Sequence, residues 1–279
     1  MIAQRNLSRL SNRLMKSGGR RIPERILERD YSISWFLVGL SRSPLRERLF
    51  FKGGTALKKC YFPNYRFSED LDFTLREGVP FETIRKELEL AFAETHRASG
   101  VVIAYAREDR GTHANSHTFY LGYEGPLPGG PSGREIKTDI TIKEQVILPL
   151  EERPLVREYE EYEDIPTNAI IRVYSLQEIA AEKVVALLDP ARNEPRDLYD
   201  FWYLAAQGHV NLGELREVID GKLTFRGRKL GAVRGQLAAK ERRLRALWKT
   251  RLAGQMAVLP EFEAVYRVVQ RDFRRAGLT

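Results

Sequence analysis

Residues 51–75 read FKGGTALKKCYFPNYRFSEDLDFTL, and the rest of the chain is organised around them. An apolar run ends at Gly53 and Gly54, a short helix can begin at Thr55, and a strand follows that carries Asp70 and Asp72. Successive side chains of a strand point to opposite faces. Asp70, Asp72 and Thr74 therefore share one face, and Leu71, Phe73 and Leu75 share the other. The apolar face can enter a core, which leaves two carboxylates on the open face with Cα atoms roughly 7 Å apart. Such a pair suits a hard cation with oxygen ligands, Mg²⁺ above all. The glycine turn offers bare backbone N–H groups beside a helix N-terminus, a setting that favours a phosphate. Either half alone is commonplace. A phosphate cradle leading straight into paired carboxylates is what metal-assisted phosphoryl transfer requires.

Upstream, residues 1–50 read as helical. Pro23 is placed to open a helix whose apolar face includes Leu27, Tyr31 and Ile33–Leu37 and which stops at Gly39. A second short helix can begin at Pro44. Downstream, Pro80–Ser99 is an amphipathic helix ending at Gly100. Val101–Arg107 and Thr118–Tyr123 read as strands around a polar loop holding His113 and His117, where a histidine base is conceivable but surface loop residues are the simpler reading. GPLPGGPSG is a turn-rich connector. It leads into an alternating strand, REIKTDITIKEQVI, with Ile136, Ile140 and Ile142 on one side and Lys137, Asp139 and Thr141 on the other. The acidic stretch 151–164 then suggests a boundary at residue 164, or simply a charged loop.

A helical region follows. In SLQEIAAEKVVALLDP, Ser175 can cap a helix and Glu178 completes a capping-box pattern. Lys183 lies at the apolar stripe of that helix, so it either snorkels out or meets an anion. The next segment, ARNEPRDLYDFWYLAAQG, has Pro195 at a helix start, Asp197 and Asp200 one turn apart, and Gly208 as a stop. Residues 209–279 read as helical, with Phe225, Trp248, Phe262, Tyr266 and Phe273 as anchors among arginines.

The chain's 279 residues can bury a substantial core in one large or two modest domains. A hydrophobic content of 43% with 30% charged residues is that of an ordinary soluble globule. No apolar run reaches the length of a membrane span, and MIAQRNLSRL lacks the apolar core of a signal peptide. One cysteine cannot form an internal disulfide, and four scattered histidines make no zinc site. A cytoplasmic location is expected. From Lys222 to Thr279 there are fifteen Lys/Arg against four Asp/Glu, so a net charge of +8 leaves the preceding residues at −3. That asymmetry points to a polyanionic partner, nucleic acid before membrane, or to a solvated helix face.

GGTAL followed by RFSEDLDF resembles the nucleotidyltransferase core of the AbiEii/AbiGii toxin family, which includes the MenT toxins and belongs to the DNA polymerase β-like superfamily. That superfamily's signature is Gly-Ser followed by Asp-x-Asp. Here Gly54-Thr55 takes the Gly-Ser place, and threonine keeps the hydroxyl. The resemblance extends over roughly residues 20–205, through Lys183 and the Arg-Asp-x-x-Asp that opens the next helix. It implies an α+β fold: a nucleotidyltransferase-like mixed sheet flanked by helices (1–164), followed by a helical domain with a basic tail (165–279). It implies that Asp70 and Asp72 hold Mg²⁺ (or Mn²⁺), with Asp139 on a neighbouring strand as a candidate third ligand or simply an exposed strand aspartate. Gly53, Gly54 and Thr55, with Lys58, Arg66 and Ser68, are the expected nucleotide contacts. Lys183 would meet phosphate charge, and Asp197 would orient it or help place the acceptor; a buried Lys–Asp pair that only ties the two helices together is the alternative. The implied activity is transfer of a nucleotide from an NTP to an RNA, a tRNA 3′ end being the expected acceptor, by a toxin with a cognate antitoxin encoded alongside. A transferase acting on a small molecule or protein hydroxyl, and an inactive nucleic-acid-binding protein, are the alternatives; intact Asp70 and Asp72 argue against the second.

Overall fold

The computed structural model describes residues 1–17, 19, 21–109, 111 and 114–279. They divide into two units, Met1–Glu144 with Leu150–Val173, and Gln145–Pro149 with Tyr174–Thr279.

The first unit opens with α1 (Gln4–Lys16), α2 (Glu24–Ser41) and α3 (Leu45–Arg48), and carries α5 (Phe81–Ser99) further on. Pro23 precedes α2, where its missing N–H is not needed. Gly39, expected to end α2, lies inside it instead. A Cβ there would collide with Thr95 Oγ1 and the Ala91 carbonyl, so glycine is what lets α2 and α5 pack so closely. Gly100 closes α5 in the left-handed conformation, as its position suggests.

Seven strands form one mixed sheet: β1 (Leu49–Lys52), β2 (Leu71–Leu75), β3 (Val102–Glu108), β4 (Ser116–Glu124), β5 (Glu135–Thr141), β6 (Leu150–Pro154) and β7 (Ile170–Tyr174). The spatial order is β3-β4-β5-β2-β1-β7-β6. The central strand β2 runs antiparallel to β1 and parallel to β5. Its Leu71 and Phe73 are fully buried, and Phe73 packs on Phe51 with ring centroids 5.2 Å apart. Between β1 and β2 the chain makes α4 (Gly53–Ala56), which runs directly into a π-helical turn over Leu57–Tyr61.

The second unit is helical: α6 (Leu176–Leu188), α7 (Pro195–Ala206), α8 (Arg216–Phe225), a 3₁₀ turn at Leu230–Ala232, α9 (Gln236–Leu252) and α10 (Phe262–Arg275). Helix α7 packs against α6, α9 and α10. Ser175 caps α6 by accepting from the Glu178 N–H at 3.2 Å. The Glu178 carboxylate does not close the box. It accepts from the N–H groups of Ile147 (3.2 Å) and Leu148 (3.0 Å) and pairs with Lys222 at 2.7 Å, both side chains fully buried. Lys222 also donates to the Gln145 carbonyl at 3.0 Å. These bonds assign Gln145–Pro149 to the helices. The division therefore does not follow a single cut after residue 164, because residues 165–173 stay with the sheet through the parallel pairing of Phe51 with Val173. Trp248, Phe262, Tyr266 and Phe273 are buried as expected, whereas Phe225 is 49% exposed at the end of α8. Among the described residues no helix is long and apolar enough to cross a membrane.

Candidate active site

Pairing register, rather than sequence distance, assembles the carboxylates of the first unit. Lys52 on β1 is the partner of Asp72 on β2, Asp72 is the partner of Asp139 on β5, and Asp139 is the partner of Thr118 on β4. Paired residues project to the same side of a sheet. One row therefore crosses four strands in the order Lys52, Asp72, Asp139, Thr118. Asp70 precedes the first residue of β2, two positions from Asp72 and half-buried like it.

Two polar groups of this row are bonded to each other, and Lys137 and Thr141 beside it bond to the row. Thr118 donates a short hydrogen bond from Oγ1 to Asp139 Oδ1, and Lys137 Nζ lies 3.1 Å from Asp139 Oδ2. Partial burial pulls the Lys137 ammonium one way, but Asp139, and then Asp70, hold its pKa above the ordinary value. Lys52 donates to Thr141 Oγ1 at 3.1 Å.

The glycine turn lies against the same carboxylates. Gly53 has φ +80°, and a Cβ there would stand 2.6 Å from Asp72 Oδ2. A Cβ on Gly54 would stand 2.5 Å from Arg66 Nη2 and 3.2 Å from Ser68 Oγ. Only a bare backbone lets these three side chains approach the turn so closely. Thr55, fully buried, donates from Oγ1 to the Asp70 carbonyl. Its hydroxyl thus fixes the turn to the carboxylate segment from within.

Lys58 is placed differently from the other expected nucleotide contacts. It is fully buried, 3.1 Å from Glu158 and 3.2 Å from the Tyr159 hydroxyl, with its ammonium 4.4 Å from the centre of the Phe67 ring. Its neighbour Lys59 meets Asp30 at 2.8 Å and Glu158 at 3.2 Å. Two lysines and two carboxylates, each no more than 2% exposed, thus form a closed cluster in the π-helical turn that follows the glycines. Burial, and then the Asp30 charge, push the Glu158 carboxyl up to about 7. Sequence reasoning missed this cluster because Glu158 sits in an acidic stretch that reads as a solvated loop. Two adjacent lysines, which cannot share one helix face, were the available signal.

His117 belongs to the other side of the sheet. It pairs with Ile140, not Asp139, and stacks on Phe81 of α5 at 4.5 Å, where burial lowers its pKa. His113 lies outside the described residues.

In the second unit, Lys183 and Asp197 meet at 2.9 Å, and Lys183 also meets Asp200 at 2.8 Å. The lysine side chain is 11% exposed and the two aspartates 2% and 0%. Arg192, 54% exposed, reaches both oxygens of Asp197, at 2.6 and 3.4 Å. Burial alone would raise the Asp197 carboxyl, but Lys183 and Arg192 hold it below the usual value. Lys240 of α9 donates to the carbonyls of Ala186 (3.2 Å) and Leu187 (2.7 Å) at the end of α6, and burial lowers its pKa to about 8.

Among the described residues no three His, Cys, Asp or Glu side chains are grouped so as to hold a metal ion. Asp70 and Asp72 nonetheless fit Mg²⁺ by the chemistry of the donor set: they supply carboxylate oxygens, and Mg²⁺ commonly takes only one or two carboxylates and fills its shell with substrate phosphates and water.

The chain belongs to the nucleotidyl transferase AbiEii toxin family of type IV toxin–antitoxin systems, whose model matches residues 35–271. Its fold is similar to that of MenT4, a nucleotidyltransferase toxin from Mycobacterium tuberculosis H37Rv, with a TM-score of 0.68 at 18% identity over 99% of this chain and 90% of that one. It is also similar to JHP933 from Helicobacter pylori, with a TM-score of 0.54 at 18% identity over 92% of this chain and 95% of that one. Comparison with curated proteins gives no match.

Proposed function

We propose that this member of the family transfers a nucleotide from an NTP to an RNA, a tRNA 3′ end being the expected acceptor, and that a cognate antitoxin restrains it. The observation that carries the reading is the joining of the Gly53–Gly54 turn to Asp72, with Asp70 held through Thr55. In the reaction, an acceptor hydroxyl oxygen bonds to the α-phosphorus of the NTP and pyrophosphate leaves.

Asp70 and Asp72 would hold the metal, and Asp139, in register with Asp72, would join them once Lys137 releases it. A bound Mg²⁺ or Mn²⁺ supplies charge neutralisation on the phosphates and aligns the attacking and leaving oxygens. The backbone of Gly53–Thr55 would cradle the phosphates, with Arg66 and Ser68 lining the turn. Lys58 is left out of this set because its ammonium is enclosed with Glu158. Lys183 would meet phosphate charge, and Asp197 would keep that lysine in place. Exposed arginines of the tail, Arg242 and Arg243 among them, would hold the RNA backbone.

The reading is tested by incubating the protein with each labelled NTP, Mg²⁺ and total RNA. Label appearing in RNA supports it. Label appearing only in protein or in small molecules favours a different hydroxyl acceptor, and no transfer at all contradicts it.

A further inference from the structure

We infer that Arg107, clamped by Glu135 and laid over the Tyr120 ring, is a stacking platform for the base of the incoming NTP; the inference rests on the function proposed above. Arg107 donates two bonds to the Glu135 carboxylate, from Nε to Oε1 at 3.0 Å and from Nη2 to Oε2 at 2.6 Å. Its guanidinium carbon lies 3.6 Å from the centre of the Tyr120 ring. All three residues belong to the first unit, which also carries the glycine turn and the paired carboxylates.

A β-bulge puts the arginine there. Tyr105 of β3 pairs with Leu121 of β4, whereas Arg107 pairs with Tyr120, so Ala106 is an extra residue in β3. Regular alternation would keep Arg107 on the face of Ile103 and Tyr105. That face is turned to α5, where the Tyr105 ring lies 6.5 Å from Phe81 and 5.4 Å from Phe119. The bulge turns Arg107 to the opposite face, the one that carries Thr118, Asp139 and Asp72.

The platform stands level with the glycine turn. Tyr120 pairs with Lys137, and Lys137 precedes Asp139 by two residues as Asp70 precedes Asp72. The turn follows Lys52 on the antiparallel β1 and so lies at that same end of β2. An NTP with its phosphate tail on Gly53–Thr55 and its α-phosphorus at Asp70 and Asp72 has its nucleoside directed across β5 toward β4. Tyr120 is two strands from β2, roughly 10 Å, within the reach of one nucleoside. An exposed ion pair adds little stability. What this one supplies is a flat surface, a guanidinium held in one plane by a bidentate carboxylate and backed by an aromatic ring. The Arg107 side chain is 46% exposed, and arginine planes of this kind take stacked bases.

The test is calorimetric binding, with Mg²⁺, of the common NTP that wild type holds most tightly and of ribose 5-triphosphate, which lacks only the base. The proteins compared are wild type, Arg107→Ala, Arg107→Lys and Tyr120→Leu. Arg107→Ala weakens NTP binding roughly five-fold or more, the scale of one lost base stack, and leaves ribose 5-triphosphate unchanged. Arg107→Lys keeps the charge but loses the plane. It shows the same selective loss, and it serves if the alanine variant does not fold. Tyr120→Leu removes the backing ring and gives a smaller loss of the same selectivity. Equal weakening of both ligands would show that Arg107 acts through charge or the fold alone, and would overturn the inference. So would unchanged NTP binding in both Arg107 variants, even if RNA binding fell, since the platform would then serve the acceptor. Absence of NTP binding in wild type would instead overturn the proposed function, and with it the reading on which this inference stands.

Discussion

Asp72 and Asp139 are register partners on the parallel strands β2 and β5, and yet their carboxylates stand in different bonds. Asp139 is taken by Thr118 and Lys137, while Asp72 lies against the bare Cα of Gly53. If Asp72 is a primary metal ligand and Asp139, bonded to Thr118 and Lys137, an auxiliary one, neutralising them has different consequences. Asp72→Asn should lower transfer by several orders of magnitude, since losing a metal clamp costs several kcal/mol of transition-state stabilisation. Asp139→Asn should lower it less and recover in part at raised Mg²⁺. Steady-state rates across a Mg²⁺ titration check this, and equal, unrecovered losses would contradict it.

Gly53 provides a second test. Its φ of +80° disfavours any side chain, and a Cβ would press on Asp72 Oδ2. Gly53→Ala should cost about 1–2 kcal/mol of stability from the backbone alone. It should also depress transfer well beyond what that loss explains, because it displaces Asp72. Chemical denaturation measured together with turnover separates the two effects.

The geometry of these two glycines and of Asp72 was legible in the sequence because each encodes it locally: a turn needing bare backbone, and a strand with a period of two; Asp70, read on that strand, lies one residue before it. The apolar faces of β2, β5 and α6 were legible for the same reason. Gly39 was misread because a glycine that ends a helix and one that admits a second helix look alike without the partner. The bond of Asp200 to Lys183 and those of Glu158 to Lys58 and Lys59, about a hundred residues away, were not legible because such partners are set by packing. Lys58 looked available because a lysine beside a glycine-rich turn reads as a phosphate ligand, and nothing local shows that it is buried.

The cluster behind the turn should make stability depend on pH. Glu158 has a folded pKa of about 7 against an ordinary value of 4.5. The fold therefore favours its neutral form: the contribution is fully present below the ordinary value and is lost as pH rises through 7, by up to about 3 kcal/mol. Asp30 is shifted downward, since Lys59 and Lys58 outweigh its burial, so its contribution is lost only at the acid end. Glu158→Gln, which resembles the neutral form, should lose less stability than wild type between about pH 5 and about pH 8. Denaturation midpoints at the two pH values check this, and parallel losses in both proteins would contradict it.

Within the basic tail, Arg242 and Arg243 are exposed on α9, whereas Arg245 is committed to Glu241 at 2.7 Å and to Glu263. If the tail tracks phosphates, Arg242→Gln with Arg243→Gln should reduce the salt dependence of RNA affinity by about one unit of slope per arginine. All RNAs should weaken alike. Arg245→Gln should change the slope less. Filter binding across a salt series would detect the difference, and an unchanged slope in the double variant would mean that this face is only solvated.

The most direct measurement of the central claim compares NTP labelled on the α-phosphate with NTP labelled on the γ-phosphate, each incubated with RNA and Mg²⁺. Nucleotidyl transfer predicts that α-label enters RNA, that γ-label leaves as pyrophosphate, and that Asp70→Asn and Asp72→Asn abolish incorporation while remaining folded. Entry of γ-label into the acceptor, or undiminished α-label incorporation in both aspartate variants, would contradict it.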